Sequence, residues 1–232
     1  MKSALFILVF LSGHCTMALS QRTVIQQNMG RLSLRDTPAF DNRYQGVKGS
    51  PYIMKEWHGA ILYPTDQPSV RVEYMNFDRY TLELCYRENP EGKIQVLNKY
   101  LIDSFVVFTT MDTLEFVRVR PPGTSDFSYM EKVFSGTGNL YLDRAKRFVE
   151  ADYEQVYSAD RRYDEFKDAP VFYITLNADV NLQEVSRNRK QMASLFGTHQ
   201  ARMLQFFKSE KVSFTDRADL ILMMKHYQEI SE

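Results

Sequence analysis

The chain has 232 residues, of which 44% are hydrophobic, 10 are Gly and 8 are Pro, so its composition is that of a folded protein rather than a disordered one. Its 29 basic residues equal its 29 acidic residues, which excludes the strongly basic surface typical of a nucleic-acid-binding protein. No long basic run offers a site for an anionic membrane. The 16 Phe and 14 Tyr favour a β-rich body, because aromatic rings pack well on pleated sheets.

The first 20 residues have the pattern of a cleavable export signal. Lys2 supplies a positive start, residues 4–11 form an uninterrupted apolar run (ALFILVFL), and small residues precede a predicted cleavage site between Ser20 and Gln21. A membrane-spanning helix needs about 20 apolar residues, so this run is too short to remain in a bilayer. We therefore expect a mature protein that is periplasmic or secreted and has no transmembrane segment.

Cleavage at this site would leave Cys85 as the one cysteine of the mature chain. Cys15 lies inside the leader, and the alternative of a lipid attached to Cys15 is not favoured because His14 stands where a lipoprotein signal has a small residue. One thiol cannot form an intramolecular disulfide, so stability must come from the core. Cys85 lies in an alternating strand pattern, which indicates a packed thiol.

Residues 44–177 have the pattern of an antiparallel β domain, preceded by a polar lead-in at residues 21–43. Val70 and Val72 alternate with Arg71 and Glu73, and the same alternation places Met75 on the side of the strand that carries Arg71. Other runs, such as Phe105 to Phe108, are apolar on both faces and need cover on both sides. The connections are too short for crossover helices. We therefore predict a β-sandwich or a barrel-like meander.

A highly charged segment, residues 143–168, interrupts this pattern (DRAKRFVEADYEQVYSADRRYDEFKD). We predict a hairpin with extended, charged arms; a short amphipathic helix is the alternative. Its clustered charges are more typical of a solvated surface than of an acid–base pair.

Residues 178–232 are predicted to form a helical C-terminal module, which makes the fold class α+β. A 3.6-residue period begins after Asn181, and Gly197 is placed to end a first helix. Thr198 is placed to cap a second helix, and a third begins near Thr215. The third carries a stripe at i, i+3, i+4 and i+7, which we expect to face the core, formed by Leu220, Met223, Met224 and Tyr227.

Known catalytic motifs are missing from the sequence. Ser135 comes nearest to a hydrolase elbow, but Val133 stands where the first glycine belongs. Gly136 and Gly138 begin like a dinucleotide-binding loop, whereas Tyr141 occupies the third glycine position. The histidines outside the leader are scattered and form no HExxH motif. We predict no catalytic residue, no metal site and no cofactor.

One segment carries a resemblance to a known family. It contains Gly49, Ser50, Pro51, Tyr52 and Ile53, followed by Trp57 and Gly59. This order resembles the opening of an uncharacterised family of exported Bacteroidota proteins, which have a G-S-P-Y-(L/I) motif and then a tryptophan–glycine motif. The resemblance implies an envelope or secreted location and no activity. We interpret the motif residues as structural; an exposed aromatic platform formed by Tyr52 and Trp57 is the alternative.

Three functions remain open at this point. The first is a non-catalytic extracytoplasmic protein that acts through contacts with a protein or a cell-envelope component. The second is a carrier of a small apolar ligand that uses a pocket inside a β-barrel. The third is a hydrolase whose site has no recognisable short motif.

Overall fold

The computed structural model describes residues 32–36, 44–152, 163–176 and 181–231. The predicted signal peptide and its cleavage site at Ser20 and Gln21 lie outside the described residues. The strands are β1 Ser33–Asp36, β2 His58–Pro64, β3 Val70–Asp78, β4 Glu83–Arg87, β5 Gln95–Leu97, β6 Ile102–Phe108, β7 Thr113–Val119, β8 Ser128–Ser135, β9 Gly138–Asp143, β10 Lys146–Val149, β11 Glu165–Asp168, β12 Val171–Leu176 and β13 Gln183–Glu184. The helices are α1 Arg189–Ser194, α2 Gln200–Ser209 and α3 Arg217–Ser231, with 3₁₀ turns at Lys99–Leu101 and Gly197–His199.

Eleven strands form one antiparallel sheet in the order β1-β5-β4-β3-β2-β6-β7-β8-β9-β12-β13. The α+β class and the antiparallel pairing are thus confirmed. Of the two predicted architectures, the meander describes the sheet better, although within the described residues its end strands β1 and β13 do not pair with each other. β1 falls within the predicted lead-in, so part of that segment is the edge of the sheet. β10 and β11 pair separately, which confirms the charged hairpin; its residues 153–162 lie outside the described part of the chain.

Aromatic contacts show that the sheet is strongly curled. Phe77 on β3 and Tyr129 on β8 have ring centroids 5.5 Å apart, although β2, β6 and β7 lie between their strands. In a flat sheet those strands would be about 19 Å apart, at about 4.8 Å per strand. Phe105 lies between them on β6, stacked on Phe116 at 4.8 Å and 5.1 Å from Tyr129. The concave face therefore encloses a core in which four aromatic rings form a continuous chain of contacts among aliphatic side chains.

Polar contacts reinforce the curl. The Tyr129 hydroxyl lies 2.7 Å from the Ile102 carbonyl and 2.8 Å from the Lys99 carbonyl. Burial raises the pKa of this hydroxyl, so it remains a donor at neutral pH. Just after β3, the Arg79 guanidinium donates to both carboxylate oxygens of Asp143 at the end of β9, at 2.7 and 2.6 Å. These contacts join strands that are not neighbours in the sheet.

A β-bulge changes the alternation predicted for β3. The register between β2 and β3 shifts between His58 and Ala60, so that Ala60 lies opposite Val72 and His58 opposite Met75. The extra residue reverses the alternation beyond the bulge. Met75 is fully buried, and its predicted place on the side of Arg71 is wrong.

The helical module packs on the face of β9 and β12 that carries Leu140 and Ile174. Three helices are present, and the α3 stripe is at most 2% exposed, which confirms its predicted core-facing role, for Leu220, Met223, Met224 and Tyr227. Gly197 has φ +53°, the left-handed conformation predicted for it. The predicted cap at Thr198 is wrong, because a 3₁₀ turn intervenes and α2 begins at Gln200 without a side-chain cap.

A buried carboxylate connects the sheet to the helices. Glu131 on β8 is 1% exposed and lies opposite both Phe116 and Leu142. Arg144 donates to its Oε2 from Nε at 2.8 Å and Nη2 at 2.6 Å, while Arg217 at the start of α3 places Nη1 2.5 Å from Oε1. Two guanidinium groups thus compensate the buried charge, which lies between the core inside the curl and the core beneath the helices.

Candidate functional site

The family-motif segment runs alongside β3 and is held there by backbone and side-chain hydrogen bonds. Ile53 donates from its backbone to the Phe77 carbonyl at 3.0 Å. The Asn76 side chain is 1% exposed and donates to the carbonyls of Met54, at 2.9 Å, and Glu56, at 3.1 Å. The sequence patterns gave no signal for this amide clamp, because it pairs residues about 20 positions apart.

The glycine–serine–proline part of the motif is a tight connection. Gly49 has φ +78°, and a Cβ there would lie 2.4 Å from the Phe166 backbone carbonyl on β11. Ser50 accepts a hydrogen bond from the Tyr52 backbone at 3.2 Å, and Pro51 is buried. Gly49 therefore has two physical reasons to be glycine, its backbone conformation and its close neighbour.

The aromatic part of the motif packs against its own surroundings. Tyr52 and Trp57 are half-buried, with ring centroids 5.4 Å apart, and the Arg87 guanidinium lies 4.2 Å from the Trp57 ring centre. Gly59 lies on β2 opposite Phe108, and its nearest neighbour is the Val72 carbonyl at an ordinary 3.8 Å. Gly59 therefore has neither a positive φ nor a close contact that would require a glycine. A structural role for the other motif residues stays a prediction.

A larger candidate site lies on the sheet face opposite the helical module. Asn139 and Tyr141 on β9 alternate with Leu140, which packs in the helical core, and Asn139 lies opposite Thr175 of β12. Side chains alternate between the two faces of a strand, so these polar groups point away from the helices. Together with the β7–β8 connection they border an open cleft of about 920 Å³. Its lining is Arg118, Val119, Arg120, Pro121, Pro122, Gly123, Thr124, Phe127, Asn139, Tyr141, Thr175, Asn181 and Leu182.

The rim of this cleft is built into a fixed shape. Thr124 donates from its backbone to the Pro121 carbonyl at 3.2 Å, closing a turn in which Pro122 precedes Gly123 at φ +74°. Proline followed by a residue of positive φ is the pattern of a type II turn. Asp126 then accepts from Lys99 Nζ at 2.6 Å and from the Tyr100 hydroxyl at 3.0 Å. The hydrogen bond from Lys99 is the main reason that the Asp126 pKa lies below its usual value.

Two arginines and two aromatic rings give the cleft its chemistry. The guanidinium carbons of Arg118 and Arg120 lie 5.4 and 4.7 Å from the Phe127 ring centre. Arg118 also donates to Asp103 at 2.7 Å, so its charge is compensated. Burial is the main cause that raises the pKa of the Tyr141 hydroxyl, and it outweighs the hydrogen bond with Thr175, which lowers this pKa, so the hydroxyl stays protonated at neutral pH.

No local sequence pattern indicates this cleft. Its residues come from β7 and the β7–β8 connection, from β9 and β12, and from the residues before β13, and only the sheet brings them together. Of the histidines, His58 is on β2, His199 lies with its ring centroid 5.9 Å from that of Tyr227, and His226 is stacked on Phe206 at 4.1 Å. In the described part of the chain, no group of three or more His, Cys, Asp or Glu side chains is arranged to hold a metal ion. No described helix is long and apolar enough to cross a membrane.

Comparison of the chain with protein-family models, with curated proteins and with solved structures gives no match.

We predict that Gly49→Ala destabilises the protein more than Gly46→Ala. Gly46 has φ +84° with open space around its Cβ position, so alanine there costs backbone strain alone, about 1 kcal/mol. Gly49→Ala adds a collision with the Phe166 carbonyl, for a total of about 3 kcal/mol. Urea unfolding of the two variants measures the difference. Equal losses of unfolding free energy would contradict the close packing of this segment on β11.

We also predict that the anchor of the cleft rim weakens in acid. Because the Asp126 pKa is lowered in the folded protein, its ionised form contributes stability above the unfolded pKa, and this contribution is lost as the pH falls through the folded pKa. Asp126→Asn should therefore be less stable than wild type at pH 7, with the two converging as the pH falls through the folded pKa of Asp126, which lies below its usual value. Unfolding free energies measured across this pH range test the expectation. A constant difference would show that the carboxylate charge is not the anchor.

Proposed function

We propose that this is a non-catalytic extracytoplasmic binding protein, and that the cleft beside the β7–β8 connection is its binding site. The observation that carries the proposal is an open cleft of about 920 Å³ beside the β7–β8 connection, bordered on β9 and β12 by side chains that point away from the helical module. Ligand sites of proteins are concave, largely preformed and of this size class. Export, the envelope as the place of action, and the family resemblance belong to the same proposal.

The chemistry of the lining supports binding rather than turnover. Arginine guanidinium groups remain protonated, side-chain amides do not titrate, and the raised pKa keeps Tyr141 protonated at neutral pH. Such groups hold a ligand through hydrogen bonds and charge without exchanging protons with it. General acid–base catalysis needs a group whose pKa lies near the working pH.

The filled interior argues against the apolar carrier. The rings of Phe77, Phe105, Phe116 and Tyr129 occupy the concave side of the curl, each at most 2% exposed. An apolar ligand would have to displace these rings from a close-packed core. A site on the outer face needs no such rearrangement.

The proposal predicts that filling the cleft abolishes binding. Pro122→Trp adds a large ring at the lining, and Pro68→Trp places the same ring at an exposed position in the β2–β3 connection. We expect ligands found by a thermal-shift screen of saccharides, peptides and metabolites to bind wild type and Pro68→Trp alike. Pro122→Trp should bind them at least about 10-fold more weakly, because a blocked cleft loses most of its contact area.

Two results would overturn this function. A ligand bound equally by Pro122→Trp and wild type, with NMR shift changes at Phe105 or Phe116, would indicate a carrier. Steady-state conversion of any screened compound, lost in Pro122→Trp, would indicate an enzyme.

A further inference from the structure

The charge that lines the cleft has one sign, although the whole chain is neutral. Its described lining holds two arginines and no carboxylate, whereas the chain has 29 acidic and 29 basic residues. An anion would therefore be attracted to the cleft by the local position of the two arginines and not by the net charge of the chain. Charges in a partly enclosed cleft are screened less than those on an open surface.

Arg120 is the cation available to a ligand. Arg118 is held by the Asp103 carboxylate and by the Tyr100 carbonyl, at 2.7 and 2.5 Å. Arg120 is exposed and lies against the Phe127 ring, and among the described residues no carboxylate pairs with it. The ring limits the positions of the guanidinium while leaving its donors open. This arrangement suits a planar carboxylate, which arginine binds with two parallel hydrogen bonds.

The neutral part of the lining suits a sugar better than a peptide. Asn139 and the Tyr141 hydroxyl bring amide and hydroxyl groups to the lining, where Asn139 also donates to Thr175 at 3.2 Å and accepts from Ser135 at 3.0 Å. The half-buried Tyr141 ring gives an apolar face for C–H groups of a pyranose. An extended peptide binds mainly through an open strand edge. β7 and β9 are each paired on both sides, and the end strand beside the cleft, β13, has only two residues, so the described sheet offers a peptide little edge there.

We infer that the cleft binds acidic saccharides, with Arg120 pairing with the carboxylate of a uronic acid and Tyr141 contacting a sugar ring. This inference rests on the proposed function and names its ligand class. Arg120 is then the residue that determines specificity for acid over neutral sugar. Arg118 is a positioning residue that holds Phe127 beneath it.

Calorimetric titration with a panel of α- and β-linked uronic-acid oligosaccharides, their methyl esters and a hexaglutamate peptide tests the inference. Wild type should bind at least one acidic oligosaccharide about 10-fold more tightly than its ester, the usual range for a charge-assisted pair. Arg120→Gln should abolish this preference and leave ester binding unchanged, and Arg120→Lys should retain part of it. Arg71→Gln is the matched control, because Arg71 is an exposed arginine of β3 outside the cleft lining.

The outcomes separate this inference from the proposed function. Equal binding of acid and ester, or tighter binding of hexaglutamate than of any saccharide, would overturn the acidic-saccharide assignment and leave the cleft as a binding site. A screened ligand that is lost in Pro122→Trp while no saccharide binds would do the same. A chain for which no ligand at all depends on Pro122 would overturn both.

Discussion

The contact between Phe77 and Tyr129 sets the shape on which the other features depend. Their strands are four positions apart in the sheet, and their rings meet only because the sheet curls until β3 faces β8. Phe105 and Phe116 fill the space between, so the curl and the core form together. A sheet that remained flat would leave these rings in water. Burial of each ring contributes about 1.5–3 kcal/mol, which makes the curled form the stable one.

The two faces of the sheet at β9 and β12 have different surroundings. One face of β9 and β12 is covered by the helices, and Arg217 of α3 joins them to the sheet through the Glu131 carboxylate, to which Arg144 also donates. The opposite face carries the amide and hydroxyl groups of the cleft. The candidate cleft borders these polar groups, whereas the four rings inside the curl are at most 2% exposed. Because hydrogen bonds already hold the rim, ligand binding would cost little additional conformational entropy there.

Local patterns predicted the elements well, since strand alternation and helical stripes depend on near neighbours in sequence. The antiparallel strands, the charged hairpin predicted within residues 143–168 and the buried α3 stripe could all be predicted in this way. Non-local pairings were not. The bulge that buries Met75 and the Arg partners of Glu131 involve residues far apart in sequence. The cleft could not be predicted for the same reason. Residues 118–123 have the pattern of a strand end followed by a turn, and the sequence alone does not show that β9 and β12 lie beside them.

The most direct test of this account is the coupling free energy between Phe77 and Tyr129, measured by a double-mutant cycle with Phe77→Leu and Tyr129→Leu in urea unfolding. A curled sheet predicts a coupling of about 1 kcal/mol, as expected for aromatic rings in contact. Phe77→Leu combined with Phe207→Leu provides the control, since Phe207 belongs to the other hydrophobic cluster and should give additive losses. Additive losses for Phe77 and Tyr129 would show that β3 and β8 do not meet. The curl, and the assignment of ligand binding to the outer face, would then be wrong.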